Sequence, residues 1–132
     1  MIISPDAGAA WKTEKFVRNL EASKEVKSMG RVFPFYIMSK LRSKPGEVGR
    51  ISLNEKVKGK NVLVPDDIID SGGTLCEAGR LFKSRGAKKL FCYGTHGFFT
   101  KGLETLSECF DVIMTSNTIY QEKRGKVEVV DV

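Results

Sequence analysis

The feature that most constrains the fold of this chain is the stretch Val62–Leu75. Its first residues are apolar and mostly β-branched, as is typical of a strand buried on both faces. Two adjacent carboxylates, Asp66 and Asp67, follow at the point where such a strand is expected to end. A turn of small residues comes next, and a helical pattern starts at Leu75. The stretch therefore predicts a strand, a turn and the beginning of a helix.

The turn Ser71–Thr74 has the composition of an anion site. Glycines allow backbone N–H groups to approach a ligand, and the dipole of the following helix favours a negative charge there. The hydroxyls of Ser71 and Thr74 add two possible donors. A Walker A loop is excluded because no Gly-Lys-Ser/Thr run occurs, and the glycine spacing does not match a dinucleotide fingerprint.

The acidic pair Asp66–Asp67 suits a neighbouring task. Carboxylates accept hydrogen bonds from a vicinal diol, or hold Mg²⁺ through water. A phosphate pocket beside a diol or metal pocket describes a sugar phosphate. A lone Gly-Gly-Thr is more often a plain turn, and the acidic pair before it is what favours a ligand site here.

Composition and charge exclude several classes of protein. The 132 residues are enough for one domain with a buried core. The net charge of +6 is spread along the chain without interleaved aromatic residues, so phosphorylated small molecules account for it equally well and no nucleic-acid partner is expected. No apolar run approaches the ~18 residues of a membrane span, so no membrane partner is expected. Three widely spaced cysteines without a Cys-x-x-Cys motif predict reduced, mostly buried thiols and a cytoplasmic protein.

The rest of the chain alternates between strand-like and helix-like patterns. Besides the strand at 62–64, strands are predicted from Ile2, at Val32–Met38, Lys89–Gly94, Asp111–Thr115 and Val127–Val130. Helices are predicted from Ala10 to about Glu25, from Leu75 to Gly86 and from Lys101 to Glu108. The basic stretch Ser39–Arg50 is interpreted as a mobile loop. The alternation predicts an α/β fold with a parallel sheet, helices on both faces, and ligands beyond the carboxyl ends of the strands.

The stretch Val62–Leu75 also resembles the phosphoribosyl-binding signature of type I phosphoribosyltransferases and of ribose-phosphate pyrophosphokinases (PRPP synthetases). The resemblance implies the parallel-sheet phosphoribosyltransferase fold, with Asp66 and Asp67 binding the ribose hydroxyls. It also implies that the 5′-phosphate is held by the turn, which comprises Asp70, Ser71, Gly72, Gly73 and Thr74.

Near the N-terminus, Asp6, Ala7 and Gly8 form a second small-residue loop, for which a helix N-cap at Asp6 is the simpler explanation. The loop resembles the diphosphate loop of PRPP synthetases, with Ala9 in place of its second glycine. That resemblance implies that Asp6 helps to hold Mg²⁺.

Two further segments resemble PRPP synthetases. Lys40 and Arg42 have the spacing of a Lys-x-Arg loop that closes on the transferring phosphates, and a cation pair there could neutralise charge that develops during transfer. The segments Thr95-His96-Gly97 and Ser116–Ile119 resemble family motifs, and the resemblance implies that Thr95, His96 and Thr118 lie near the ribose phosphate.

The resemblance runs from Ile3 to Val132 but covers only the C-terminal half of a PRPP synthetase. It implies a ribose 5-phosphate/PRPP-binding domain of a homo-oligomeric enzyme, whose ATP-binding N-terminal half is missing here. The complete enzyme moves a diphosphate from ATP, its co-substrate, to ribose 5-phosphate with Mg²⁺. The chain alone is expected to be inactive, and its exposed apolar edges, including Ile2-Ile3, are expected to favour self-association. The alternatives are a small type I phosphoribosyltransferase, although no hood segment for a nucleobase is evident, and a non-catalytic subunit that binds phosphates weakly.

Overall fold

The computed structural model describes residues 1–41 and 50–132. The strands are β1 (Ile2–Ser4), β2 (Phe35–Ile37), β3 (Ser39–Leu41), β4 (Arg50–Ser52), β5 (Asn61–Ile69), β6 (Lys89–Gly97), β7 (Val112–Ser116) and β8 (Val127–Val130). Within the described ranges, six of them form a parallel sheet in the order β2-β1-β5-β6-β7-β8, and β3 pairs with β4 antiparallel. The predicted α/β class with a parallel sheet is confirmed.

The helices are α1 (Ala10–Ala22), α2 (Lys24–Ser28), α3 (Gly73–Ser84) and α4 (Glu104–Cys109). Tyr93 and Cys92 are neighbours in β6, so their side chains point to opposite faces of the sheet. Tyr93 stacks on Phe16 of α1, with 5.6 Å between ring centroids. Cys92 belongs to the buried cluster that contains Cys76 of α3 and Cys109 of α4. Helices therefore cover both faces, as predicted. In the described part of the chain, no helix is both long and apolar enough to cross a membrane.

The core lies mainly between the sheet and α3 and α4. Val62 and Val64 of β5 are fully buried, as are Phe82 and Phe110, each of which contributes roughly 2–3 kcal/mol by burial. The two helices approach closely at Gly79, where an added Cβ would lie 3.0 Å from the Cβ of Cys109. This packing fixes the helix that follows the Ser71–Thr74 turn.

The predicted burial of the thiols is confirmed, because Cys76, Cys92 and Cys109 are all buried and free of disulfides. Burial raises the pKa of the Cys76 thiol to about 12 and also raises the pKa of Cys92. Thiols of this kind are unreactive packing groups.

Strand β5 is longer than the sequence predicts. The expectation that it ends before the acidic pair is wrong, because Asp66 pairs with Gly94 and the strand continues to Ile69. The backbone N–H of Leu63 donates to the carbonyl of Met1, 3.0 Å away, which places that side of β5 towards β1. Pro65 lies two residues further along and faces the same side, where the β1 ladder has already ended. The missing N–H of proline therefore interrupts no ladder, and β5 continues along β6.

Other boundaries also differ from the prediction. β2 covers only Phe35–Ile37, and α1 ends at Ala22 because Ser23 is extended (ψ 147°) and its hydroxyl caps the separate helix α2. The interpretation of Ser39–Arg50 as a loop is wrong at both ends, where β3 pairs with β4. The rest of that stretch lies outside the described residues. The expected exposure of Ile2-Ile3 is also wrong, since β1 lies between β2 and β5 and both side chains are buried.

Candidate functional site

The Ser71–Thr74 turn joins β5 to α3 and lines a cleft of about 150 Å³. Gly72 is the N-cap of α3 and has a φ of 73°, a conformation that favours glycine. An added Cβ there would also lie 2.9 Å from the side chain of Leu106. Gly73 is different, because its Cβ position is open, with only the Ser71 hydroxyl within 4 Å. The structure thus places a helix N-terminus at the floor of the cleft, as the sequence predicts.

Asp70, which sequence reasoning assigned to the same turn, is held from the end of β6. Its carboxylate accepts a hydrogen bond of 2.7 Å from the hydroxyl of Thr100, and its carbonyl accepts one of 3.0 Å from the Thr100 backbone N–H. The neighbouring Ile69 carbonyl accepts from the N–H groups of Phe98 and Phe99. These hydrogen bonds from the segment that follows β6 therefore fix the start of the turn. Thr100 was missed by the sequence analysis, since no local pattern marks it.

The acidic pair lies in the C-terminal half of β5, which is the half nearer to the turn. The backbone N–H of Asp67 donates to the Asp66 carboxylate at 2.9 Å, and Asp67 forms an ion pair with Lys12 of α1. Burial raises the pKa of Asp66 to about 6, helped by its contact with Asp67. The hydrogen bond from Lys12 lowers the pKa of Asp67. Two adjacent carboxyls are therefore held in different protonation ranges.

The Asp6 loop lies at the carboxyl end of β1. The Asp6 carboxylate accepts a hydrogen bond of 2.8 Å from the Ala9 N–H, and the Asp6 carbonyl accepts one of 2.8 Å from the buried Ser4 hydroxyl. The N-cap of α1 is Ala9, so Asp6 braces the loop ahead of the helix and does not occupy the cap itself. Ala7 and Gly8 are exposed at the tip of this loop.

Asp6 also bears on whether the site suits a divalent cation. Its charge contributes to raising the pKa of Asp66, which places the two carboxylates within electrostatic reach of each other. Among the described residues no group of three or more metal-ligating side chains occurs. Mg²⁺ usually takes one or two protein carboxylates and completes its shell with water and substrate phosphates, so the residues present fit Mg²⁺ bound together with a phosphorylated ligand.

A larger cleft of about 370 Å³ lies between α1 and the strands β5 and β6. Its walls include Lys12, Phe16, Tyr93 and Thr95, and Asp66 lines both this cleft and the one at the turn. The acidic pair therefore separates two adjoining spaces, one polar and built on the turn, the other broader and partly aromatic.

Thr95 and His96, which were predicted to lie near the ribose phosphate, differ from each other in their surroundings. Thr95 lines the larger cleft, and its carbonyl accepts hydrogen bonds of 2.6 and 2.9 Å from the hydroxyls of Ser116 and Thr118. His96 Nδ1 lies 2.8 Å from the Thr118 hydroxyl. The segment at the end of β7 thus braces the end of β6.

The remaining predicted residues are Lys40 and Arg42. Lys40 belongs to the backbone of β3. Its side chain and the whole of Arg42 lie outside the described residues, so their predicted catalytic roles stay predictions.

With this geometry in place, the comparisons define the class of protein. The chain belongs to the phosphoribosyl transferase domain family, which it matches over residues 1–129. Hypoxanthine phosphoribosyltransferase from Trypanosoma cruzi, solved with the product IMP, superimposes with a TM-score of 0.50 at 12% identity over 100% of this chain and 60% of that one. That match supports the fold alone.

The more specific similarity is to ribose-phosphate pyrophosphokinases. The enzyme of Pyrococcus furiosus is 38% identical over 121 residues, which covers 90% of this chain and 39% of the relative. The enzyme of Pyrococcus abyssi is 35% identical over 133 residues, covering 99% of this chain and 42% of the relative. The crystal structure of phosphoribosylpyrophosphate synthetase from Mycobacterium smegmatis matches with a TM-score of 0.74 and 30% identity over 98% of this chain and 40% of that one. The resemblance to the C-terminal half of PRPP synthetases is confirmed, and the chain spans about two fifths of the length of these relatives.

Proposed function

We propose that this chain is the ribose 5-phosphate- and PRPP-binding domain of a ribose-phosphate pyrophosphokinase. The observation that carries the proposal is the shared wall at Asp66, which lines both the turn cleft and the larger cleft. A phosphate bound at the turn and a sugar bound at the acidic pair would then lie side by side. The pyrophosphokinases among the relatives support this substrate class.

The proposed roles follow from the chemistry of each group. Backbone N–H groups at the start of α3, with the hydroxyls of Ser71 and Thr74, hold the 5′-phosphate. Asp66 and Asp67 accept hydrogen bonds from the ribose hydroxyls, which are donors. Asp70 acts on the phosphate indirectly, because its carboxylate is engaged by Thr100 and keeps the turn in shape.

Asp6 is the residue that would hold Mg²⁺. When bound, Mg²⁺ supplies positive charge to the diphosphate that is being transferred. Lys40 and Arg42 are proposed to stabilise the same charge, and ATP is the proposed diphosphate donor of the complete enzyme. The residues that bind ATP are proposed to lie mostly outside this chain, since the relatives are more than twice as long.

Two measurements test the proposal. Isothermal titration calorimetry with Mg²⁺ should detect binding of ribose 5-phosphate or PRPP, whereas a mixture of the chain with ATP, Mg²⁺ and ribose 5-phosphate should form no AMP. A chimera in which the chain replaces the matching segment of the Pyrococcus furiosus relative should form AMP. Absence of any sugar-phosphate binding would contradict the proposal.

These measurements, together with an assay of pyrophosphate release, separate the alternatives. Release of pyrophosphate from PRPP on addition of a nucleobase would identify a small phosphoribosyltransferase. Binding of sugar phosphate with no AMP from a folded chimera would identify a non-catalytic subunit. Efficient AMP formation by the chain alone would place the ATP site within these residues and contradict the proposed division.

We also propose that the chain self-associates through its sheet edges. Among residues 1–41 and 50–132, β2 and β8 are the outer strands of the six-stranded sheet, and each exposes an apolar residue, Ile37 at 45% and Val130 at 43%. Unpaired edges of this kind favour strand-to-strand contacts. Sedimentation over a range of concentrations tests this, and a concentration-independent monomer would contradict it.

A further inference from the structure

Lys12 contacts the acidic site from the other side of the larger cleft. It lies in the first turn of α1, 55 residues away from Asp67 in sequence, and its Nζ donates a hydrogen bond to Asp67 Oδ2. Its side chain lines the cleft between α1 and β5, together with the two aspartates.

The two carboxylates of the pair are treated unequally by their surroundings. Asp66 is the more buried of the two and accepts a hydrogen bond from the Asp67 backbone N–H, whereas Asp67 forms an ion pair with Lys12. The hydrogen bond to Asp67, and then the charges of Asp67, Asp66 and Asp6, raise the pKa of Lys12, so the ammonium stays protonated. The Lys12 ammonium thus interacts electrostatically with three aspartates.

Without that cation, two neighbouring carboxylates would repel each other and tend to share one proton. A shared proton turns one acceptor into a donor and leaves the orientation of both groups free to change. A vicinal diol presents two hydroxyl donors and needs two fixed acceptors. The ability of the pair to recognise a diol therefore depends on the cation.

We propose that Lys12 determines specificity for the vicinal diol of the sugar, by fixing the Asp67 carboxylate and balancing its charge so that both aspartates act as acceptors. Lys12 acts through Asp67 and is a positioning residue. This proposal rests on the proposed function, because it concerns the same sugar phosphate.

The test compares three ligands by calorimetry at pH 7.5, namely ribose 5-phosphate, 2-deoxyribose 5-phosphate and inorganic phosphate. The deoxy sugar keeps the phosphate and lacks one hydroxyl of the diol. We expect the wild-type chain to prefer ribose 5-phosphate over the deoxy sugar roughly tenfold, the order expected for a hydrogen bond to a charged group. In Lys12→Met this preference should fall to about twofold or less, while affinity for inorganic phosphate stays unchanged.

Two matched variants serve as controls. Lys12→Arg keeps the charge and should restore the preference. Lys15→Met removes a lysine from the same helix and the same cleft, and within residues 1–41 and 50–132 Lys15 makes no ion pair, so its preference should equal that of the wild type. Thermal unfolding of each variant checks that the fold is retained.

Each outcome decides the matter. A preference retained in Lys12→Met, or lost equally in Lys15→Met, would overturn the role of Lys12. An equal loss for all three ligands would assign Lys12 to the phosphate and overturn it as well. If the wild-type chain binds inorganic phosphate but does not prefer ribose 5-phosphate, the proposed function fails first, and the inference falls with it. That failure is visible in the wild type before any variant is examined.

Discussion

The turn cleft and the acidic pair adjoin at Asp66, yet they are built in different ways. The turn depends on backbone geometry. Gly72 has a positive φ, the Cβ position of Gly73 is open, and core packing fixes the start of α3. The acidic pair is a side-chain device that depends on Lys12, which belongs to a distant helix. The first should therefore be sensitive to added volume, and the second to lost charge.

The largest effect is expected from added volume at Gly73. A valine there projects its β-carbon into the space where a phosphate would meet the helix N-terminus, so ribose 5-phosphate affinity should fall by about 100-fold or more as several hydrogen bonds to a charged group are lost. Inorganic phosphate should be lost equally. Calorimetry with both ligands measures the change.

Gly72 offers the matched comparison for that experiment. Gly72→Val combines a disfavoured positive φ with overlap on Leu106, so it should destabilise the fold by about 3 kcal/mol or more. Gly73→Val should unfold at nearly the wild-type temperature, since its Cβ position is open. Unchanged ligand affinity in a folded Gly73→Val protein would show that the turn does not bind the phosphate.

A smaller and more selective effect is expected from neutralising the acidic pair. Asp66→Asn and Asp67→Asn should each weaken ribose 5-phosphate binding by about tenfold, because a charged acceptor becomes a neutral one. Binding of inorganic phosphate or sulfate should remain. If sulfate affinity fell to the same extent, the pair would have a structural role only, and the contrast between the two regions would disappear.

The contrast also explains what the sequence could predict. The turn is a contiguous stretch in which glycine, hydroxyl residues and helix start all fall at fixed offsets, so both its structure and its candidate chemistry could be predicted locally. The parallel sheet followed from the alternation of patterns in the same way. The length of β5 could not be predicted in this way, because its hydrogen-bond ladder depends on the pairing with β6. The ladder continues past the charged residue Asp66.

The partners of the site residues were the part that local patterns could not supply. Thr100 lies 30 residues from Asp70 and Lys12 lies 55 residues from Asp67. Nothing in the amphipathic pattern of α1 distinguishes Lys12 from Lys15, and only the register of α1 over β5 decides which lysine reaches the acidic pair. The signal that could have found Lys12 is its place one helical turn after the Asp6 loop.

The smallest predicted effect is a pH dependence that distinguishes the two carboxylates. The pKa of Asp66 is raised to about 6 in the folded chain. Its contribution to folding stability is therefore fully present at a pH below the ordinary pKa of an aspartate and is lost as the pH rises through about 6. The pKa of Asp67 is lowered, so its contribution is present above its ordinary range and is lost as the pH falls. The two contributions change folding stability in opposite directions with pH. The preference between two sugar phosphates is therefore a clearer measurement than folding stability.

The preference for ribose 5-phosphate over 2-deoxyribose 5-phosphate should therefore decline as Asp66 becomes protonated. At pH 6 about half of the Asp66 carboxyls carry a proton, so the preference should be about twofold lower than at pH 8. Both ligands carry the same phosphate, and its own ionisation cancels in the ratio. Asp66→Asn should give a ratio that does not change between pH 6 and pH 8, because Asp67 stays ionised over that range. A decline that persists in Asp66→Asn would assign the titration to another group and show that the two carboxylates are not separated by their surroundings.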